Sequence, residues 1–281
     1  METIRIPRIM QATAKAALCK GKTIGLVPTM GALHKGHMSL VRRARSENDI
    51  VVVSVFVNPL QFGPNEDFDR YPRDIERDKE LLQHEGADIL LVPELKGMYP
   101  EGYATRITVQ GLSEKLCGAF RPGHFTGVAT VVAKIFNIVK PTRTYFGQKD
   151  FQQTVVIKRL IEDLNMDIEL VIGQTVRESD GLAMSSRNMY LTAPERKAAL
   201  IIYKTLTEAS KMVKSGASRP EDVRSHMHAL LKTEPLVAEI QYAGVYDPET
   251  LDDLIEYKKR NLLAIAIKIG STRLIDNMII E

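Results

Sequence analysis

TIGLVPTMGALHKGH, Thr23–His37, decides how the rest of the chain is read. Its first five residues, Thr23–Val27, form a short apolar run of the kind that makes a buried strand, and the chain then crosses a loop to a helix beginning near His37. Upstream, Pro7 can open a helix that runs to about Lys20, with Gly21 placed to end it. Downstream, IVVVSVF, Ile50–Phe56, is a second β-branched strand. A polar loop, a charged helix from about Pro72 to His84 and a third strand, DILLV at Asp88–Val92, follow it.

Short apolar strands alternating with helices predict a parallel sheet with right-handed crossovers, a Rossmann-like α/β architecture. The pattern continues with helical spacing at Val128, Val131, Val132, Ile135, Phe136 and Val139, a strand at Arg143–Phe146, a helix from Asp150 and a strand within Asp167–Gly173. After that strand the pattern changes. A polar segment, Gln174–Asn188, precedes helical runs near Pro194–Lys214 and Pro220–Lys232, and then strands around Ala238–Tyr246 and Leu263–Ile269. The division expected is a Rossmann-like domain over residues 1–175 and a smaller C-terminal α+β lid over residues 176–281.

Composition excludes several classes. The chain has 38 Lys and Arg against 35 Asp and Glu, a net charge of +3 that is too small to indicate a nucleic-acid surface. No apolar run approaches the roughly 20 residues that span a bilayer, and the start METIRIPRIM lacks the apolar stretch of a signal peptide, so a cytoplasmic protein is expected. Cys19 and Cys117 show no metal-ligand spacing and read as reduced thiols.

In open parallel sheets ligands gather at the carboxyl ends of the strands, so the polar segments after the first, second and fourth strands are candidates for one shared site. The first, PTMGALHKGH, sets Gly31 and Gly36 where backbone can approach phosphate. It also presents His34 and His37 at the mouth of a helix, where two imidazoles can donate to phosphate oxygens as charge builds there. A zinc site is disfavoured because no further ligand accompanies the pair.

The second segment carries amides at Asn58 and Gln61 that suit a carboxylate or hydroxyl. Asp74 and Asp78 lie four apart on the helix after it and are weak candidates for magnesium against a solvated helix face. In LCGAFRPGHFTGV, Arg121 and His124 serve either phosphate contact or the start of a helix. The third segment, YFGQKDFQQT, supplies Lys149, a mobile charge suited to phosphate, and Asp150, a helix cap or ribose ligand. AMSSRN at Ala183–Asn188 adds two hydroxyls and a guanidinium that could bind polyphosphate.

Taken in order, PTMGALHKGH, VSVFVNPLQFGPNEDFDRYPRD, CGAFRPGHFTGVATVV, YFGQKDFQQ and RESDGLAMSSRN resemble the motifs of the pantothenate synthetase (pantoate–β-alanine ligase) family along essentially the whole chain. The resemblance implies a homodimer that uses ATP and magnesium to join pantoate to β-alanine through a pantoyl-adenylate. It further implies that Met30, Gly31, Ala32, Leu33, His34, Lys35, Gly36 and His37 line ATP, together with Gly147, Gln148, Lys149, Asp150, Val176, Met184, Ser185, Ser186 and Arg187. His37, His34 and Lys149 would be the catalytic groups, with His37 the family's proton donor. Gln61 and Gln153 would hold pantoate, Gln61 also β-alanine, with Asn58 beside them. Gln148 stands where many members have Glu, and Phe151 where many have Tyr. The alternative expectation is a related H-x-G-H nucleotidyltransferase acting on a small phosphate ester. Such an enzyme should carry more Arg or Lys in its substrate loop.

Overall fold

The computed structural model describes residues 1–64, 66–216 and 218–281. Six parallel strands, β1 (Glu2–Ile4), β2 (Ile24–Thr29), β3 (Ile50–Val55), β4 (Ile89–Leu91), β5 (Arg143–Gly147) and β6 (Glu169–Gly173), form one sheet in the order β1-β4-β3-β2-β5-β6. Helices α1 (Pro7–Leu18), α2 (Lys35–Glu47), α3 (Ile75–His84), α4 (Leu95–Met98), α5 (Cys117–Phe120), α6 (His124–Val139) and α7 (Phe151–Asp163) complete this unit.

Alternation along the strands sends side chains to two separate cores, as the pleat requires. Leu26 and Val52 pack with α1, α6 and α7 on one face, while Val27, Val51 and Val53 pack with α2 and α3 on the other. Helix α6 is buried along most of its length, which explains its nearly uninterrupted apolar sequence.

Beyond residue 180 a second unit has its own core, running from Leu182 to Ile280. Helices α8 (Ala193–Ala198), α9 (Leu200–Ser215) and α10 (Pro220–Leu231) accompany an antiparallel sheet, β7 (Val237–Tyr246), β8 (Asn261–Ile269) and β9 (Thr272–Ile280). The helical run expected over Pro194–Lys214 is broken at Ala199. Strands β1 and β9 lie outside the sequence expectation. The first has only three residues, and the second interrupts its apolar pattern with Arg273, Asp276 and Asn277. Among the described residues no helix is long and apolar enough to cross a membrane.

The sheet order places the site. Strands run outward from β2 through β3 and β4 to β1 on one side and through β5 to β6 on the other, so the direction of winding reverses between β2 and β5. The carboxyl ends of those two neighbours open a crevice, and they deliver Met30–His37 and Gln148–Gln153 to it.

Candidate active site

The H-x-G-H segment is fixed before any ligand is considered. His34 is the N-cap of α2, and its Nδ1 accepts from the Gly36 N–H at 3.2 Å; the His37 Nδ1 accepts from the His34 N–H at 3.3 Å. These two bonds assign the tautomers. With both Nδ1 atoms accepting, each neutral ring carries its proton on Nε2. Burial, followed by the charge of Lys149, lowers the His34 pKa to about 4, and burial, His34 and Lys149 hold His37 well below its ordinary value. The result is two neutral imidazoles, 4.1 Å apart, with N–H donors left over for the cavity that both rings line.

Gly36 makes this possible, since a Cβ there would stand 2.9 Å from the His34 ring. The preceding loop is strained, with Ala32 at a φ of 52°. Asp78 holds it. Its buried carboxylate accepts from the Ala32 N–H at 2.9 Å and the Leu33 N–H at 2.8 Å. This corrects both expectations for Asp78, which is neither on a solvated face nor free for magnesium. Asp74 caps α3 by accepting from the Arg77 N–H, and among the described residues no group of three or more His, Cys, Asp or Glu gathers as metal ligands.

A cavity of about 200 Å³ lies between His34 and His37 on one side and Lys149, Gln153 and Ser185 on another. Met30, Gly36, Gln61, Gly147, Asp150, Val176, Met184, Ser186 and Arg187 also line it, so these expected residues come together from both units of the fold, whereas Gly31, Ala32, Leu33, Lys35 and Gln148 do not border it. Asn58 does not face the cavity. It is fully buried behind Gln61, donating to the Gln61 Oε1 and the Gly127 O at 3.1 Å each and accepting from the Leu60 N–H and the Tyr99 hydroxyl. Gly127 allows α6 to approach this turn, because a Cβ there would meet the Leu60 carbonyl oxygen at 2.1 Å. The Gln153 amide, in contrast, makes no hydrogen bond among the described residues.

Arg121 and His124 hold the backbone of Gln61 rather than pointing at the imidazoles. The Gln61 carbonyl accepts from the His124 Nδ1 at 2.8 Å and from Arg121 at 3.2 Å, and Glu66 takes two hydrogen bonds from the Arg121 guanidinium. Burial and the Arg121 charge push the His124 pKa down to about 3, so its Nε2 is free to accept from Arg121. Asp150 occupies the N-cap position of α7 without capping it through its side chain. Its carboxylate makes no cap bond to α7 and lies 3.8 Å from the Lys149 ammonium.

Three participants were not visible in the sequence. Tyr71, buried in the loop after β3, exchanges a 3.1 Å hydrogen bond with the Ser186 hydroxyl. Asp67 binds the Arg187 guanidinium through both carboxylate oxygens. Asn277, from β9, reaches the backbone of Gln148 and Lys149. Each acts across more than 100 residues of sequence, which local patterning does not register.

Neutral imidazole donors beside a lysine, at the switch point of an open parallel sheet, suit a substrate rich in phosphate oxygens, and they place the chain among the α/β enzymes of H-x-G-H type that handle nucleotides. Residues 2–279 match the sequence profile of the family described as Pantoate-beta-alanine ligase. The chain belongs to that family. It is 59% identical over 281 residues to the pantothenate synthetase of Thermodesulfovibrio yellowstonii, with all of both chains covered. The crystal structure of the Thermus thermophilus enzyme superimposes with a TM-score of 0.94 at 45% identity, covering 99% of each chain. A Francisella tularensis pantoate-beta-alanine ligase, solved as a complex with beta-gamma ATP and beta-alanine, gives 0.81 at 36% identity, covering 99% of this chain and 97% of that one.

Proposed function

We propose that this ligase joins pantoate to β-alanine in two steps within the crevice between β2 and β5, with a pantoyl-adenylate between them. An amine cannot readily expel oxide from a carboxylate, whereas it can expel AMP from an acyl-adenylate. In the first step a pantoate carboxylate oxygen attacks the α-phosphorus of ATP, and pyrophosphate leaves. In the second the neutral amine of β-alanine attacks the acyl carbon, AMP leaves with the bonding electron pair, and the nitrogen gives up one proton to water.

The observation that carries this proposal is the locked pair of neutral imidazoles: His34 and His37 keep Nε2–H donors for the α-phosphate oxygens, with the Lys149 ammonium beside them. Donors held in place beforehand stabilise charge that appears in the transition state without having to reorganise. Neutrality at pH 7 makes His37 a hydrogen-bond donor first; proton transfer from it would require the nucleotide's own charge to raise its pKa.

Met30 to His37, Gly147 to Asp150, Val176 and Met184 to Arg187 would line the nucleotide. Gln61, with its amide aimed by Asn58 and Met30, and the unbonded Gln153 would hold the acid. Water exclusion by the Met184–Arg187 segment would protect the mixed anhydride, consistent with a lid that begins near Thr175. Magnesium would be held mainly by the nucleotide's own phosphates, whose charge it would neutralise, and the half-exposed Asp150 carboxylate beside Lys149 could join them. The family resemblance also supports a cytoplasmic homodimer, which sedimentation of the purified chain would test.

Rapid mixing with ATP and pantoate, without β-alanine, tests the two-step scheme. About one pyrophosphate per site is expected in the first turnover. Pyrophosphate that appears only after β-alanine is added would overturn it.

A further inference from the structure

Strand β9 belongs to the C-terminal sheet, yet its Asn277 is buried against the turn that carries Lys149. The Asn277 Nδ2 donates to the carbonyl oxygens of Gln148 and Lys149 at 2.9 Å each, and its Oδ1 accepts from the Gln148 side-chain amide at 3.3 Å. One side chain thus takes up both backbone acceptors of the turn and leaves its own polar atoms satisfied.

The next residue back is fixed as firmly. Asp276, also buried, binds the Arg177 guanidinium through both carboxylate oxygens and accepts from the Asn277 N–H at 2.8 Å. Arg177 in turn donates to the Gly181 carbonyl and stacks 4.6 Å from the Tyr203 ring. The amide of Asn277 is therefore held from behind by a chain of contacts that ends at the half-buried Tyr203 ring of α9.

We propose that Asn277 is a positioning residue for the first half-reaction: it fixes the backbone at Gln148 and Lys149 and thereby aims the Lys149 ammonium at the cavity. The Lys149 side chain has a flexible four-carbon stem, so the place of its charge depends on the place of its Cα. The turn cannot supply that order itself, because Asp150 makes no cap bond to α7 and the Asp150 backbone lies outside the helical region. A charge displaced by about 1 Å from a developing phosphate charge can lower a rate on the order of 100-fold. This proposal rests on the assignment of Lys149 to the ATP phosphates.

Single-turnover pyrophosphate release from ATP and pantoate, with thermal unfolding run beside it, tests it in wild type, Asn277→Ala, Asn277→Asp, Lys149→Ala and the Lys149→Ala/Asn277→Ala double variant. Asn277→Asp keeps the volume but turns oxygens toward two carbonyl oxygens. Both Asn277 variants are expected to release pyrophosphate about 10- to 100-fold more slowly at saturating ATP. In the Lys149→Ala background the second substitution should add less than about twofold, because the residue acts through the lysine. Should Asn277→Ala fail to fold, Asn277→Asp takes its place in both the single and the double variant. Wild-type rates in Asn277→Asp, or losses that multiply in the double variant, would overturn the proposal. Unimpaired release by Lys149→Ala would instead overturn the assignment of Lys149 itself.

Discussion

Asp67 and Arg187 meet across the cleft, the guanidinium Nε and Nη2 donating to the two carboxylate oxygens at 3.0 and 2.9 Å. They come from the loop after β3 and from the segment that covers the cavity, and both are largely buried. Arg187 is thus already neutralised by a carboxylate where a polyphosphate is proposed to bind. Nucleotide phosphates must take over that guanidinium or share it.

Replacing Asp67 with Asn should therefore tighten ATP binding, by about threefold to tenfold if releasing the guanidinium is worth at least the ~1 kcal/mol upper end of exposed ion pairs. Arg187→Ala should weaken ATP binding and release more AMP than pantothenate, as the covering segment loses its anchor. Calorimetric titration and the AMP-to-pantothenate ratio measure the two effects. Weaker ATP binding in Asp67→Asn would assign the carboxylate to the nucleotide's side of the site.

His37→Ala should retain its fold and lose on the order of 10²–10³ in the rate of adenylate formation, the usual effect of deleting one transition-state donor. His34→Ala should lose activity too and, because His34 caps α2, destabilise the protein by about 1 kcal/mol. Quenched-flow pyrophosphate release and chemical denaturation distinguish these losses. Near-normal release by His37→Ala would remove it from the chemistry.

Asp78→Asn is expected to destabilise the protein by roughly 2 kcal/mol, since an amide has one acceptor for two buried backbone N–H groups and turns a donor toward the other. Activity should fall with the loss of loop order, while the magnesium concentration giving half-maximal rate stays unchanged. A large rise in that concentration would restore Asp78 as a metal ligand.

Acid should weaken the fold through its histidines. Burial comes first among the causes that bring His34 to about 4 and His124 to about 3, both from an ordinary value of 6.5. The unfolded chain therefore binds these protons at higher pH than the folded one does. Stability from keeping the rings neutral is complete above about pH 6.5 and is lost as pH falls through the folded-state values. Melting temperature should drop between pH 7 and pH 5, and less steeply in His34→Asn, which keeps a capping side chain. Identical slopes for the two proteins would show that His34 does not titrate in this way.

The apolar runs around Leu26, Val52 and Tyr145 made three central strands legible, because a strand buried on both faces must be apolar throughout. The place of the H-x-G-H segment, at a helix mouth beside a cavity, was legible for a similar reason, since few structural demands call for two imidazoles and a glycine there. Direction was not legible. Asn58 and Asp78 have the right groups for substrate and metal, but they turn toward backbone atoms whose positions depend on strained Ala32 and on the close approach of Gly127. Strand β9 was hidden because Asp276 and Asn277, polar in composition, are buried by the other half of the molecule.

The neighbouring of β2 and β5 has a kinetic side. Contacts between β2 and β3 close a span of 26 residues, from Thr23 to Asp49, whereas the first bond between β2 and the start of β5, Ile24 to Thr142, closes 118. Because closure entropy grows as the logarithm of loop length, the longer closure costs about 1 kcal/mol more. On that account the strands on one side of β2 assemble before the crevice exists. A half-folded molecule would hold a sheet edge and two histidines with no lysine opposite them, and the site proposed for ATP would stay incomplete until folding is nearly done.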